Sequence, residues 1–168
     1  MQINKGFNRD ARSTPHTMQP SSPQRVKIGT FYVEGTKNVR RELFTEVAES
    51  IANGFIGKDK DGRFGKVTKT QLRRLFDEVK RFEQMLNGTP DNWGKNYPYI
   101  RMIKSKASYN ITRAKLSPSN WNIEVWDNLS AFISEGIELI EDEIDYRVFK
   151  ALFEAVYGFY YVKNPYND

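Results

Sequence analysis

Five stretches of the chain between residues 38 and 163 repeat apolar residues at intervals of three and four positions. This interval matches the turn of an α-helix, so the apolar side chains of each stretch share one helix face and predict a buried stripe. Short breaks rich in Gly, Pro, Asn and Asp separate the stretches, which favours helices packed against their neighbours in the chain. The pattern predicts an all-α fold: a compact five-helix bundle with little or no sheet.

The first four core stripes are Val39, Leu43, Phe44, Val47, Ile51 and Phe55; Leu72, Leu75, Phe76, Val79, Phe82 and Leu86; Ile100, Ile103, Ala107, Ile111 and Ala114; and Trp121, Val125, Leu129, Phe132, Ile133, Ile137 and Ile140. The fifth lies in "DYRVFKALFEAVYGFYYVK".

Residues that favour helix ends set the first expected boundaries. Gly54 and Gly57 are expected to end the first helix. The stretch "GKDKDGRFGKV" is rich in turn residues and is expected to be a loop. Thr68 follows it and is a natural N-cap, so the second helix is expected to begin there.

Prolines guide the later boundaries. The third helix is expected to begin after Pro98 and to run through Lys115, because proline is tolerated in the first turn of a helix but not in its interior. Pro118 suits the first turn of the fourth helix, and Asp145 can start the fifth.

Residues 1–37 differ from the rest in composition. Pro, Ser, Gln and Arg dominate the first 25 residues, and "VKIGTFYVEG" is at most one short extended segment. The sequence therefore predicts two parts: a flexible N-terminal tail over residues 1–37 and a helical bundle domain over residues 38–168.

Several classes of function lack the residues they need. The chain has no Cys and a single His, His16, which excludes disulfides, thiolate nucleophiles and Cys-based zinc sites. "KDKDGRFGKVT" lacks two of the carboxylates that an EF-hand needs, and it lacks the Ser or Thr of a P-loop. The acidic run "EDEIDY" at 141–146 is better explained as a solvated helix junction than as a metal site. We expect no catalytic residue, metal site or cofactor.

Two further expectations concern location. No apolar run approaches the ~18 residues that span a bilayer, so we expect no membrane contact. The first thirty residues have no apolar stretch that resembles a secretory signal, so we expect the protein to be cytoplasmic.

Charge is divided unevenly along the chain. Residues 67–117 carry 11 Lys and Arg against 4 Asp and Glu, whereas residues 118–168 carry 3 against 10. A basic middle favours a polyanionic partner, and the acidic end is left to meet a basic surface. The alternative is that one half simply neutralises the other.

Helical projection places cations beside the core stripes of the second and third helices. Lys106, Tyr109 and Arg113 share a face of the third helix, with no Asp or Glu within one turn on that face, so we expect neither cation to pair with the acidic helices. Their spacing can engage phosphates along one strand. Lys104 belongs to a further cationic row with Arg101, Ser108 and Lys115.

The second helix repeats this arrangement. Lys69, Arg73 and Lys80 fall within a narrow sector beside the core stripe. Arg74 and Arg81 project elsewhere and have Asp77 and Glu78 nearby, so they are not assigned to the interface. The simplest alternative is that these cations only solubilise the surface and cover the edge of the core with their stems.

Three motifs together resemble a known family. "VTKTQLRRLFDEVK", "YIRMIKSKASYNITRAKL" and "FKALFEAVYGFYYVK" are similar, in this order, to segments of the Csm-type small subunit of type III-A CRISPR effector complexes. The resemblance covers residues 66–163. It implies a non-catalytic five-helix protein that assembles in several copies and contacts guide RNA, target RNA and the backbone and large subunits. The RNA-facing residues that it implies are Lys69, Arg73, Lys104, Lys106, Tyr109 and Arg113.

Three hypotheses for function follow. The first is an RNA-binding structural subunit of a type III-A complex, which recognises the guide–target duplex through phosphates and shape while base pairing reads the sequence. The second is a helical adaptor whose acidic fourth and fifth helices bind a basic protein. The third, a small enzyme, has the least support because no nucleophile–base pair or metal set is visible.

Overall fold

The computed structural model describes residues 26–87, 92–117 and 122–164. Its helices are a 3-10 helix at Arg41–Phe44, followed by α1 (Glu46–Asn53), α2 (Lys69–Leu86), α3 (Asn92–Lys115), α4 (Glu124–Glu138) and α5 (Glu143–Lys163). The predicted all-α bundle is confirmed, and the only sheet among the described residues is a two-stranded hairpin, β1 (Ile56–Lys58) and β2 (Phe64–Lys66).

The packing of each helix against its neighbours determines which of its faces are exposed. α2 packs against α5 on one side and α3 on the other, α3 packs against α2 and α4, and α1 packs on α5. Aromatic rings fill the centre, where Phe132 of α4 meets Phe153 of α5 edge to face with centroids 5.1 Å apart. A Cβ on Gly136 would lie 2.1 Å from the ring of Phe149, so glycine permits the close approach of α4 and α5 here.

The second helix begins where the sequence predicts. The Thr68 side chain accepts a hydrogen bond from the Gln71 N–H, and the Gln71 side chain in turn accepts one from the Thr68 N–H, which forms a capping box. All six residues of the predicted α2 stripe are buried, as are the five of α3. Periodicity therefore identified the buried faces of both helices.

The first predicted helix is interrupted. Thr45 separates the 3-10 helix from α1 with φ −119° and ψ −95°, values outside the helical region. The predicted end at Gly54 is confirmed, and Phe55 lies beyond the helix but is still fully buried. The apolar stripe was correct although the single continuous helix was not.

The predicted loop between the first two helices contains the hairpin. β1 and β2 are antiparallel, with Lys58 opposite Phe64, and Gly62 turns the chain with φ +77°. Asn122 lies against Gly65 and donates its side-chain N–H to the Gly57 carbonyl at 3.0 Å. Three-residue strands are too short for their period to appear in the sequence.

The third helix begins seven residues earlier than predicted, with Pro98 inside it. Tertiary contacts hold these first turns: the Asn92 side chain donates to the Met85 carbonyl at 3.0 Å, and the Tyr97 hydroxyl donates to the Ile140 carbonyl at 3.1 Å. Trp93 also packs on Tyr97 with ring centroids 5.1 Å apart. These contacts stabilise a helical segment that the proline alone disfavours.

The last two helices also shift from their predicted starts. α4 is described from Glu124, and the predicted positions of Pro118 and Trp121 lie outside the described residues. α5 begins at Glu143 because Asp142, and not Asp145, is its N-cap. Asp145 instead completes a capping box from the third helical position.

Residues 26–37, which composition assigns to the tail, lie against the bundle. Val26, Ile28 and Phe31 are buried, and the Glu135 carboxylate accepts hydrogen bonds from the N–H groups of Ile28 and Gly29 at 2.9 and 2.8 Å. These residues therefore pack as part of the bundle domain. Residues 1–25 lie outside the described residues, so the predicted flexibility there stays a prediction.

Candidate nucleic-acid interface

α3 lies between α2 and α4, so its exposed side chains form two flanks. We call the side of α3 next to α2, together with the side of α2 that faces it, the α2 flank. It carries Lys106, Asn110 and Arg113 of α3 and Arg74 and Arg81 of α2. The side next to α4 is the α4 flank, and it carries Arg101, Lys104 and Lys115. The buried stripe between them docks the helix.

Cations of the α4 flank are paired with groups of α4. Lys104 forms an ion pair with Glu138, and Lys115 forms one with Asp127. Arg101 donates to the Ile137 carbonyl at 3.1 Å. The hydrogen bond from Lys104, together with its positive charge, holds the pKa of the Glu138 carboxyl below its usual value. The predicted RNA contact Lys104 is thus one partner in a one-to-one ion pair.

The α2 flank is different because one carboxylate is shared by two cations. Lys106 and Arg81 of α2 both donate to the single carboxylate of Glu78, the latter at 2.7 Å. The expected lack of a nearby carboxylate is therefore wrong for Lys106, since Glu78 comes from another helix. Within the described residues, the ion-pair partner of Lys106 comes from α2.

Two arginines of this flank have no carboxylate partner. Within the described residues, neither Arg113 of α3 nor Arg74 of α2 forms an ion pair within 4.0 Å. Tyr109, which shares the face of Lys106 and Arg113, is 67% exposed. A guanidinium without a carboxylate keeps its five donors for other acceptors, of which phosphate is well matched in geometry.

A cleft of about 430 Å³ opens between α2 and α3 at this point. Its polar rim and its floor come from three helices and the loop residues beside them. The rim consists of Thr68, Gln71, Arg74, Asn110, Arg113 and Ser117, and the floor includes Leu75, Ile111 and Trp126.

The other three predicted residues lie on the opposite side of α2, next to α5. The Lys69 ammonium lies 4.7 Å from the ring centroid of Tyr161, and the Lys80 ammonium lies 5.6 Å from that of Phe76. Arg73 forms an exposed ion pair with Asp77 at 3.7 Å. These three residues and the α2 flank thus form separate surfaces on either side of α2.

Sequence reasoning missed Arg74 and Asn110. Arg74 was set aside because Asp77 and Glu78 follow it in sequence, but these carboxylates pair with Arg73, Arg81 and Lys106 instead. Its angular position on α2, about 100° from Arg73 on the side of Glu78, is the signal that identifies it.

One known family matches most of this chain. The family model described as Csm2 Type III-A matches residues 38–165, which cover the described bundle from the 3-10 helix to α5. The chain belongs to the Csm2 type III-A family. Comparisons with curated proteins and with solved structures find no match.

All seven residues predicted from the sequence, together with Arg74, lie inside the part of this Csm2 chain that the family model matches. The family assigns the chain to the subunits of type III-A CRISPR complexes.

The acidic run of this Csm2 chain has a structural role. Asp145 is buried and accepts hydrogen bonds from the Glu141 N–H at 2.9 Å and from the Tyr32 hydroxyl at 2.6 Å. Burial, followed by the bond to Asp145, raises the pKa of Tyr32. Across the described ranges, no group of three His, Asp or Glu residues could hold a metal ion. No helix of the described chain has the length and apolar content to cross a membrane.

Proposed function

We propose that this Csm2 chain is a non-catalytic, RNA-binding structural subunit of a cytoplasmic type III-A ribonucleoprotein that acts in antiviral interference. Its α2 flank contacts the phosphate backbone of guide and target RNA. Its neighbours in the complex are the backbone and large subunits and further copies of the chain. Family membership supports the assignment to the complex, and the α2 flank supports RNA as the ligand.

The observation that carries the proposal is the excess of cations on the α2 flank. Lys106 and Arg81 share the one carboxylate of Glu78, and Arg74 and Arg113, on the walls of the cleft, form no ion pair within the described residues. The uncompensated positive charge of this flank favours binding of a polyanion. Each phosphate that a cation neutralises also releases condensed counterions, which contributes to the binding free energy. By contrast, Lys104 and Lys115 would have to give up their carboxylates before they could contact a phosphate.

The proposed mode of binding does not read the RNA sequence. Arginine and lysine contacts to phosphate oxygens fix the position of a nucleic acid and carry no base information. Sequence is then read by base pairing between guide and target, as in other RNA-guided complexes. The second predicted surface, beside α5, stays a candidate for a second RNA contact through Arg73, Lys69 and Lys80.

The adaptor hypothesis has less support from the contacts of the acidic helices. Glu138 and Asp127 of α4 pair with lysines of α3, and Glu143 of α5 pairs with Arg147 of the same helix at 2.6 Å. Internal neutralisation, the alternative raised by the charge distribution, therefore holds on the α4 flank. Carboxylates that are occupied inside the chain are less able to recruit a basic protein.

Removal of two cations from each flank tests the proposal. We expect Lys106→Ala/Arg113→Ala to weaken binding of unrelated RNA sequences about equally and to flatten the slope of log K against log salt by roughly 1–2 units. Lys104→Ala/Lys115→Ala removes the same net charge from the α4 flank and serves as the matched control, with a near wild-type slope. Circular dichroism checks that both variants are folded.

Equal RNA affinity and salt slope for Lys106→Ala/Arg113→Ala and the wild type would reject the assignment of the α2 flank. An equal loss in both variants would mean that RNA responds to the total charge of the chain and not to this surface. The measurement uses the full chain and is repeated in the assembled complex.

A further inference from the structure

The cleft between α2 and α3 is larger than contacts to the phosphate backbone of RNA require. Its volume of about 430 Å³ lies in the lower part of the range of 300–1,000 Å³ that is typical of small-ligand sites. The cleft is thus suited to a group the size of a nucleotide and is too small for a helix or a duplex. Phosphates that contact only the surface of the α2 flank would leave the cleft unfilled.

The charges at the rim select an anion. Arg74 of α2 and Arg113 of α3 stand on the two walls, and none of the described residues that line the cleft is Asp or Glu. Thr68 at the start of α2 and Ser117 just after α3 both lie at the rim, so the positive end of one helix dipole and the negative end of the other offset each other. The two guanidiniums therefore supply the charge, and each can form two parallel hydrogen bonds to phosphate oxygens.

The floor and the amides suit a base. Ile111 and Trp126, which are only 3% and 2% exposed, close the floor of the cleft and leave a narrow apolar surface that the edge of a ring can touch. The side-chain oxygen of Gln71 accepts from Thr68 in the capping box, which leaves its NH₂ group as a donor. Asn110 is exposed at the opposite wall and offers both a donor and an acceptor. These are the groups that contact the edge of an unpaired base.

We propose that the cleft binds one unpaired nucleotide of an RNA strand, with its phosphate between Arg74 and Arg113 and its base on the floor beside Asn110. This inference rests on the proposed RNA-binding function and deepens it. A paired base cannot enter, because its edge is hydrogen-bonded and its faces are stacked within the duplex. Inorganic phosphate would satisfy the arginines but would leave the apolar floor uncovered.

Three RNA ligands separate the cleft from the rest of the α2 flank. They are a short uninterrupted duplex, the same duplex with one bulged adenosine, and the same duplex with an abasic nucleotide at the bulge. We expect the full wild-type chain to bind the bulged adenosine roughly tenfold more tightly than the abasic bulge, a factor that corresponds to about 1.4 kcal/mol. The abasic bulge and the uninterrupted duplex should bind alike.

Asn110→Phe blocks the cleft without a change of charge. We expect it to lose the preference for the bulged adenosine over the abasic bulge. Thr112→Phe is the matched control, because Thr112 is exposed on the same helix and does not line the cleft. It should behave like the wild type, and thermal unfolding confirms that both variants are folded.

The outcomes distinguish this inference from the proposed function. Salt-sensitive binding of all three ligands with equal affinity would overturn the cleft inference and leave backbone binding intact. The same loss of preference in Asn110→Phe and Thr112→Phe would place the base elsewhere. Failure of the wild type to bind any of the three RNAs would overturn both proposals.

Discussion

The two flanks of α3 carry similar residues but differ in how many of their cations are paired with carboxylates. On the α4 flank, Lys104 and Lys115 each meet one carboxylate of α4. On the α2 flank, Lys106 shares Glu78 with Arg81, and Arg113 meets no carboxylate among the described residues. One side of α3 thus has lysines paired one to one with carboxylates, and the other has a lysine that shares its carboxylate and an arginine that pairs with none among the described residues.

The difference comes from the neighbouring helices and not from α3. α4 supplies Asp127 and Glu138 at the positions that face α3, whereas α2 supplies Glu78 together with further arginines. A cation in a sequence is therefore a candidate for phosphate binding only after its neighbours across the helix interface are known. Four predictions test this comparison.

Charge reversal gives the largest contrast. We expect Arg74→Glu/Arg113→Glu to lower RNA affinity by roughly 100-fold or more at moderate salt, because two phosphate contacts become repulsions. Thermal stability should change little, since neither arginine forms an ion pair with the part of the chain that the structure describes. Lys104→Glu/Lys115→Glu should do the reverse, lowering the melting temperature by placing like charges beside Glu138 and Asp127 while RNA affinity falls only a few-fold. Similar RNA losses in the two variants would erase the distinction between the flanks.

The exposed ring beside the α2 flank provides the next test. Tyr109→Ala should weaken single-stranded RNA binding by about tenfold, within the range of roughly 1–3 kcal/mol that stacking of one base contributes. Tyr109→Phe keeps the ring and should retain the affinity. Because Tyr109 is exposed, both variants should unfold within about 0.5 kcal/mol of the wild type. An equal loss in the two variants would assign the contribution to the hydroxyl.

Removal of the Glu78 carboxylate should make the α2 flank bind RNA more tightly. Glu78→Gln releases Lys106 and Arg81, so we expect RNA affinity to rise a few-fold and the salt slope to steepen by about 1. Glu138→Gln releases only Lys104 on the α4 flank, so RNA affinity should rise less than in Glu78→Gln. A rise of the same size in Glu138→Gln would indicate that pairing, and not position, had kept Lys104 from the RNA.

The smallest expected effect concerns protonation on the α4 flank. Lys104→Ala should raise the pKa of Glu138 towards its ordinary value of 4.5, measured by NMR titration, because the hydrogen bond that lowers it is removed. In the wild type the folded pKa is the lower one, so this pair stabilises the fold above pH 4.5 and its contribution is lost as the pH falls through the lowered pKa. Lys106→Ala, on the other flank, should leave the titration of Glu138 as it is.

Local signals in the sequence were sufficient for α2 and insufficient for the start of α3. The Thr68 cap, its Gln71 partner and the apolar stripe lie within one helix, so they are visible at fixed spacing in the sequence. The first turns of α3 depend on bonds from Asn92 to Met85 and from Tyr97 to Ile140, and the latter spans 43 residues. The start of α3 was predicted after Pro98 because no residue near it in the sequence indicates an earlier start.

The sequence by itself determined that this protein is a helical bundle, which faces of α2 and α3 are buried, that its middle is basic, and to which family it is similar. These properties depend on periodicity, composition and motifs, which are local. Only the tertiary structure decided which cations are neutralised, because an ion pair between helices depends on which side chains the packing brings within about 4 Å. Packing placed Lys104 beside Glu138, separated Lys69, Arg73 and Lys80 from the α2 flank, and brought Arg74 to the same cleft as Arg113.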